Sequence, residues 1–216
     1  MKSVLVIGMG RFGHHLAKTM TNLGNDVMVV DKDAKLINSL SASHPDAVIG
    51  DCTDENVVKA LGVENFDICF VAIGNNFESS LVITSHLKRL NAKMIIAKAN
   101  RDVQADLLKK IGANEIVYPE KESAEKLAVR YNAKNIFDFV RLTSTYSICE
   151  IAVPKYWLGK TVTQLAVRQR YKLNIVAVKH ENELDVIPGP DYTFVEDDHV
   201  IVIGKADDVF KVAAMP

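Results

Sequence analysis

The feature that most constrains the fold is a glycine-rich turn near the start of the chain, Gly8-Met9-Gly10-Arg11-Phe12-Gly13. Residues 3–7 before it form a short apolar run typical of a buried strand, and residues 11–23 after it have the pattern of a helix. A G-x-G-x-x-G pattern is weak alone, but between a strand and a helix it predicts a phosphate-binding turn. The first glycine permits the tight turn, the second lets a pyrophosphate approach the backbone, and the third allows the helix to pack closely on the strand.

The alternation of strand and helix continues as far as residue 118 and predicts the fold class. Apolar runs rich in Val and Ile predict strands over residues 3–7, 26–30, 47–49, 68–73, 94–97 and 115–117. Amphipathic segments between them predict helices over residues 11–23, 33–40, 54–61, 76–90 and 102–111. This alternation predicts an α/β fold, a Rossmann-like doubly wound parallel sheet.

The pattern changes after Pro119, and a smaller unit follows. Helices are predicted over residues 120–131, 135–142, 162–168 and 206–212, and strands over residues 146–153, 174–178, 184–187 and 199–203. We therefore predict two domains. Residues 1–142 form a nucleotide-binding domain with its crossover helices, and residues 143–216 form a small α+β C-terminal subdomain.

Composition argues against several classes of function. The chain has 216 residues, of which 48% are hydrophobic and 25% charged, as is ordinary for a folded globular protein. Its net charge of −1 lacks the basic excess of a nucleic-acid-binding protein, so we expect no nucleic acid partner. Three cysteines without a C-x-x-C pair argue against a disulfide framework or a zinc site and favour the cytoplasm. No run approaches the ~18 apolar residues of a membrane span, so we expect any action at a membrane to require a partner.

Charged residues extend the predicted phosphate site. Asp31 ends the second predicted strand, 21 residues after Gly10, where an acidic residue binds the ribose hydroxyls and repels a 2′-phosphate. It favours NAD or an adenine nucleotide over NADP, although a carboxylate here also fits a cap of the following helix. Lys32 adjoins it and joins the predicted site. The guanidinium of Arg11, inside the turn, either reaches a terminal phosphate or faces solvent.

A set of short strings in a fixed order resembles a known family. Besides the glycine turn, the chain carries Val48-Ile49-Gly50-Asp51-Cys52-Thr53-Asp54-Glu55, Val71-Ala72-Ile73-Gly74-Asn75-Asn76, Ala97-Lys98-Ala99, Ile111-Gly112-Ala113, Tyr118-Pro119-Glu120, Leu165-Ala166-Val167-Arg168 and Asn174-Ile175-Val176-Ala177-Val178-Lys179. Their joint order and spacing resemble those of the RCK (regulator of conductance of potassium) proteins. The closest likeness is to the cytosolic gating subunits of Ktr-type potassium uptake systems.

The resemblance implies a regulatory subunit rather than an enzyme. Such a subunit is cytoplasmic and assembles from dimers into an octameric ring. The ring lies at the inner face of the cell membrane through its partner, a potassium-translocating membrane subunit of the Ktr or Trk type. Exchange of ATP and ADP, and in some relatives of NAD or NADH, reshapes the ring and gates the pore.

The resemblance also assigns nucleotide-binding residues. It implies that Asp31 binds the ribose and that Arg11 reaches phosphate across a dimer. Two loops are implied to line the nucleotide, and they consist of Asp51, Cys52 and Thr53 beside the adenine and of Ile73, Gly74 and Asn75 after the fourth strand.

For two further residues, Lys98 and Glu120, the sequence fits an ordinary structural role as well as a role in ligand binding. The resemblance implies that Lys98 lies near the terminal phosphates, but an exposed lysine at a strand end fits the sequence too. It implies that Glu120 helps bind a divalent cation, Mg or Ca, when ATP is present, since a carboxylate that faces a triphosphate needs an intervening cation. A glutamate that favours the dipole in the first turn of a helix fits Glu120 equally well.

In some relatives the C-terminal subdomain binds cyclic di-AMP at a dimer interface. The matching positions here are Arg168, Asn174, Ile175 and Pro188. An arginine would hold phosphate and an asparagine would bind an adenine edge, while ordinary packing and turn roles remain the alternative.

Two other functions compete with a regulatory sensor. The same glycines and Asp31 would serve an NAD-dependent oxidoreductase, but such an enzyme needs an acid or base near the nicotinamide, and the sequence offers no such constellation. A cyclic-dinucleotide module whose first domain is only a scaffold is the third hypothesis. The sequence favours the sensor because a complete nucleotide site is followed by a tail too small for a substrate domain.

Overall fold

The structure is a computed structural model, and it describes residues 1–40, 44, 46–132, 135–181 and 183–215. The chain divides into two compact units, Met1–Lys121 and Glu122–Pro216. Helix α6 (Pro119–Asn132) crosses the division between them.

Among the described residues, the first unit forms one parallel sheet of six strands in the order β3-β2-β1-β4-β5-β6. The strands are β1 (Ser3–Ile7), β2 (Asp26–Asp31), β3 (Ala47–Ile49), β4 (Ile68–Val71), β5 (Ile95–Lys98) and β6 (Glu115–Val117). Helices alternate with them, namely α1 (Arg11–Asn22), α2 (Ala34–Leu40), α3 (Glu55–Ala60), α4 (Phe77–Arg89) and α5 (Asp102–Ile111). The predicted doubly wound sheet is confirmed, and its strand order reverses between β1 and β4.

Both faces of this sheet are buried, which explains why its strands are continuously apolar. Along β1, Leu5 and Ile7 belong to one hydrophobic layer, and Val4 and Val6 belong to the other. None of the four side chains is more than 3% exposed. A ligand cleft is expected where the strand order reverses, at the carboxyl ends of β1 and β4.

The second unit contains an antiparallel sheet of five described strands in the order β10-β9-β11-β8-β7. The strands are β7 (Ile136–Arg141), β8 (Tyr146–Ala152), β9 (Asn174–His180), β10 (Glu183–Asp185) and β11 (Asp198–Lys205). Its helices beyond α6 are α7 (Val162–Leu165), α8 (Val167–Tyr171) and α9 (Ala206–Ala213). Its core surrounds Trp157 and Phe194, both fully buried, with ring centroids 5.6 Å apart. This unit confirms the predicted small α+β subdomain.

The helix predicted over residues 135–142 is wrong, because β7 occupies this segment. Ile136 and Phe139 are buried while the residues between them are not, and a spacing of three is typical of a helix face. The spacing arises here from an irregularity in the pairing with β8, between Ile136 and Asp138, which breaks the usual alternation of a strand.

Three smaller differences follow from local backbone geometry and pairing. The helix predicted over residues 162–168 is split into α7 and α8 by Ala166, whose φ of +46° lies in the left-handed region. Strand β10 is three residues long and begins one residue before the strand predicted over residues 184–187. Residues 122–142, which the sequence analysis places in the N-terminal domain, fall in the second unit, where β7 pairs with β8.

Candidate functional site

A cleft of about 450 Å³ lies at the carboxyl edge of the parallel sheet, where the strand order reverses. Its size suits a small-molecule site. The predicted residues that line it are Gly8, Gly10, Arg11, Phe12, Asp31, Lys32, Asp51, Cys52, Thr53, Ile73, Gly74, Asn75, Lys98 and Glu120. Of the residues predicted to form the N-terminal site, only Gly13 lies outside this lining. The structure thus brings together residues at or just beyond the carboxyl ends of all six described strands of the parallel sheet.

The three glycines of the turn have distinct surroundings. Gly8 has a φ of +97°, which L side chains rarely adopt. A Cβ on Gly13 would lie 1.9 Å from the carbonyl oxygen of Gly8, so any side chain here would separate α1 from β1. A Cβ on Gly10 would meet no atom within 4 Å, and this open space faces the cleft. These surroundings fit a tight turn at Gly8 and close packing at Gly13, while the approach of a pyrophosphate to Gly10 stays a prediction.

The N-terminus of α1 is suited to bind an anion. In the described part of the chain no side chain caps this helix, and its first turn holds no acidic residue. The first backbone N–H groups of a helix lack partners within the helix and carry partial positive charge. A phosphate placed over Gly10 would therefore meet donors that the chain itself leaves available.

Asp31 joins the ends of two strands at the cleft. One carboxylate oxygen accepts a hydrogen bond from the backbone N–H of Met9 at 2.6 Å, and the other accepts one from Asp33 at 2.9 Å. The carboxylate therefore faces the glycine turn and lines the cleft. Because a carboxylate has about four acceptor sites, it keeps capacity for a ribose hydroxyl.

The loop after β3 forms another wall of the cleft and is internally braced. Asp51 Oδ1 accepts hydrogen bonds from the backbone N–H of Thr53 at 3.0 Å and from its hydroxyl at 2.7 Å. The bond from the hydroxyl of Thr53 lowers the pKa of Asp51, so this carboxyl is ionised at neutral pH. Burial raises the pKa of the Cys52 thiol to about 12, which keeps it protonated and makes it a poor nucleophile.

A positively charged region lies at the far end of the cleft. The ammonium of Lys98 is 2.5 Å from Glu120 Oε1 and 5.7 Å from the centre of the Phe12 ring. The Lys98 side chain is only 9% exposed, so the alternative of an exposed strand-end lysine is wrong. The hydrogen bond from Lys98 lowers the pKa of Glu120, and the charge of Arg11 lowers it further. Glu120 also lies in the first turn of α6, so the structure does not separate its two predicted roles.

Sequence reasoning missed two residues that shape the cleft. Asn100 donates a hydrogen bond from its side-chain amide to the carbonyl oxygen of Gly74 at 2.8 Å and so joins the loops after β4 and β5. Asn76 caps α4 by accepting a bond from the N–H of Ser79. Both are polar residues just beyond a parallel strand, and this position is the sequence signal by which they could have been found.

No group of three or more His, Cys, Asp or Glu side chains capable of holding a metal ion occurs among the described residues. Within the same residues, no helix is both long enough and apolar enough to span a lipid bilayer.

A second cleft of about 380 Å³ lies within the second unit. It brings together all the residues at the positions predicted for cyclic di-AMP, which are Arg168, Asn174, Ile175 and Pro188. Arg168 Nε donates a hydrogen bond to Asn174 Oδ1 at 2.6 Å. Thr163 and Gln169, which the sequence analysis missed, also line this cleft.

The domains agree with known families. The TrkA-N domain family matches residues 4–119 and the TrkA-C domain family matches residues 148–215. The Ktr system potassium uptake protein C of Bacillus subtilis (strain 168) is 38% identical to the chain, and protein A of the same strain is 33% identical. Both alignments cover 96% of this chain and 94% of the relative. The chain therefore belongs to the family of the Ktr system potassium uptake proteins, and the resemblance drawn from its short strings is confirmed.

Solved structures agree on the fold. The GsuK channel bound to NAD matches the whole chain with a TM-score of 0.72 and 20% sequence identity, and the chain spans 40% of the length of that channel chain. GsuK bound to ADP matches 60% of the chain with a TM-score of 0.54, again at 20% identity, over 34% of its own length. At this identity the likeness shows the fold alone.

Substitution of two glycines will separate a packing role from a ligand role. We expect Gly13→Ala to destabilise the protein by about 2 kcal/mol, because the new Cβ would collide with the carbonyl oxygen of Gly8, in the turn after β1. We expect Gly10→Ala to leave the melting temperature nearly unchanged, since Gly10 has a φ of −63° and open space around it. It should weaken nucleotide binding about tenfold or more, because the methyl group occupies the phosphate's approach. Thermal melts and calorimetric titration measure the two effects, and equal loss of stability in both variants would contradict this assignment.

Proposed function

We propose that this chain is the nucleotide-responsive regulatory subunit of a Ktr-type potassium uptake system. The observation that carries the proposal is one cleft that holds an open glycine turn, an uncapped helix N-terminus and the carboxylate of Asp31. Together these groups complement a diphosphate and a ribose. The relatives named as Ktr system potassium uptake proteins match nearly the whole chain, which favours this role over that of an NAD-dependent oxidoreductase.

The four candidate ligands, ATP, ADP, NAD and NADH, all contain an adenosine diphosphate group, and we propose that the cleft binds this common part. The diphosphate lies over Gly10, the ribose hydroxyls bind Asp31, and the adenine lies against the loop that contains Asp51, Cys52 and Thr53. The carboxylate at residue 31 disfavours NADP, since it would repel a 2′-phosphate.

ATP and ADP differ by a γ-phosphate, and the positive end of the cleft is able to distinguish them. A γ-phosphate would compete with Glu120 for Lys98, because both are anions within reach of one ammonium. Glu120, once displaced, would share a Mg or Ca ion with the phosphate oxygens, since two facing anions require a cation between them. A ligand shifts a conformational equilibrium only through different affinities for two states, and this exchange of ion partners provides such a difference.

The conformational change has to reach a membrane pore. We propose that the chain is cytoplasmic, forms dimers that assemble into an octameric ring, and acts at the inner face of the membrane through a potassium-translocating Ktr or Trk-type subunit. In this role the chain catalyses no reaction, and its output is a change in the pore's open fraction.

The second cleft is proposed to bind cyclic di-AMP. Arg168 would hold a phosphate, Asn174 would bind an adenine edge, and Ile175 and Pro188 would provide apolar contacts. Because the two clefts lie in different units and share no lining residue, we expect a substitution in one cleft to remove the response to one ligand without affecting the response to the other.

The regulatory proposal predicts nucleotide-dependent potassium flux. The full chain and its pore subunit, reconstituted in liposomes, should transport potassium at different rates with ATP and with ADP. Asp31→Asn should weaken ADP binding about tenfold, because it removes the charge that binds the ribose. Asp26→Asn, at the exposed start of the same strand, is the matched control. It should change neither the affinity for ADP nor the difference in potassium flux between ATP and ADP. Equal flux with every nucleotide, or turnover of NADH with a panel of hydroxy acids and ketones, would overturn the proposal.

If each cleft binds its own ligand, a substitution in one cleft should impair only that ligand's binding in calorimetric titrations. Arg168→Gln should abolish binding of cyclic di-AMP and leave ADP affinity unchanged, because the two clefts share no residue. Asp31→Asn should weaken ADP binding about tenfold and leave binding of cyclic di-AMP unchanged. Retention of cyclic di-AMP binding by Arg168→Gln would reject the second site, and loss of both ligands in either variant would show that the clefts are not independent.

A further inference from the structure

The last turn of helix α4 contacts the loop of residues 51–53, which we propose lines the adenine, from outside the cleft. In its last turn, the half-buried His86 places Nε2 3.1 Å from the carbonyl oxygen of Thr53. A carbonyl oxygen only accepts, so the imidazole donates this bond. His86 does not line the cleft, and it therefore acts on the loop that faces the ligand and not on the ligand itself.

This bond completes the hydrogen bonding of Thr53. The N–H and the hydroxyl of Thr53 both donate to Asp51 Oδ1, which leaves the carbonyl oxygen as its remaining polar group. Asp54 adds a backbone bond to the carbonyl oxygen of Asp51 at 3.0 Å. The side chain of Cys52 also anchors the loop, since it is buried in the hydrophobic core, but the hydrogen bond from His86 is the contact that holds the carbonyl oxygen of Thr53.

The neighbours of His86 fix its tautomer. Arg89 Nη2 lies 3.2 Å from His86 Nδ1, and a guanidinium only donates hydrogen bonds, so Nδ1 must accept. The proton of the neutral ring is then on Nε2, the atom that faces Thr53. Arg89 also pairs with Glu55, in the first turn of α3, whose other oxygen is 3.2 Å from Lys59. The chain of bonds therefore returns to the backbone two residues after Thr53.

We infer that His86 is a positioning residue for the nucleotide site, which holds the loop of residues 51–53 in its binding conformation through the Nε2–H tautomer. A loop held in place before binding loses less conformational freedom when the ligand arrives, and affinity rises accordingly. The inference rests on the proposed function only in its effect on nucleotide affinity, because the tautomer and the order of the loop belong to the protein without ligand.

Substitutions at residue 86 of the full chain test this role by calorimetric titration with ADP. His86→Leu removes both hydrogen bonds and should weaken ADP binding about tenfold. His86→Gln should stay within about threefold of the native affinity, because its amide nitrogen can donate to Thr53 while its oxygen accepts from Arg89. Lys88→Gln, an exposed position on the same helix, is the matched control and should bind ADP like the native chain.

Two further readouts test positioning without a nucleotide. Nitrogen-15 spectra of the native protein should show His86 as the Nε2–H tautomer, and amide hydrogen exchange over residues 53–55 should be faster in His86→Leu but not in Lys88→Gln. The opposite tautomer, unchanged exchange in His86→Leu, or His86→Gln binding ADP as weakly as His86→Leu would overturn the inference. If His86→Leu does not fold, His86→Asn, which is too short to reach Thr53, takes its place. Failure of the native chain to bind any adenine nucleotide would refute the proposed function, whereas the tautomer and exchange results would still decide the role of His86.

Discussion

The geometry of the nucleotide cleft depends on the hydrogen bond between the backbone N–H of Met9 and the carboxylate of Asp31, 2.6 Å long. It joins the turn after β1 to the end of β2 and so sets the direction in which α1 leaves the sheet. Gly13 permits the helix to follow that direction, because a side chain there would meet the oxygen of Gly8. In the proposed complex, this one carboxylate orients the helix that binds the phosphates and presents acceptor sites to a ribose.

Around this fixed corner, the cleft combines rigid and exchangeable contacts. The loop that contains Thr53 is braced by Asp51 from within and by His86 from α4. The ion pair between Lys98 and Glu120 is different, since we propose that an incoming phosphate replaces one of its partners. Under the proposed function, the rigid contacts favour binding of every adenine nucleotide, whereas the exchangeable ion pair allows a different response to each.

Much of the first unit could be predicted from the sequence because its determinants are local. Each parallel strand is a continuous apolar run, and the residues that line the cleft follow directly after those runs. The helix predicted over residues 135–142 is wrong because Ile136 and Phe139, three residues apart, fit a helix face, whereas the irregular pairing of β7 with β8 buries the same two residues in a strand. The contact of His86 with Thr53 joins residues 33 positions apart and depends on how α4 packs beside α3, which no local spacing encodes.

A crystal structure of the full chain with ADP would show whether an adenine nucleotide binds in the cleft at the carboxyl edge of the parallel sheet. We expect the diphosphate at about 3 Å from the backbone N–H groups at the start of α1. We also expect the ribose hydroxyls to donate hydrogen bonds to the carboxylate of Asp31. A nucleotide bound elsewhere, or a cleft filled by the chain's own side chains with Asp31 turned away, would contradict this proposal.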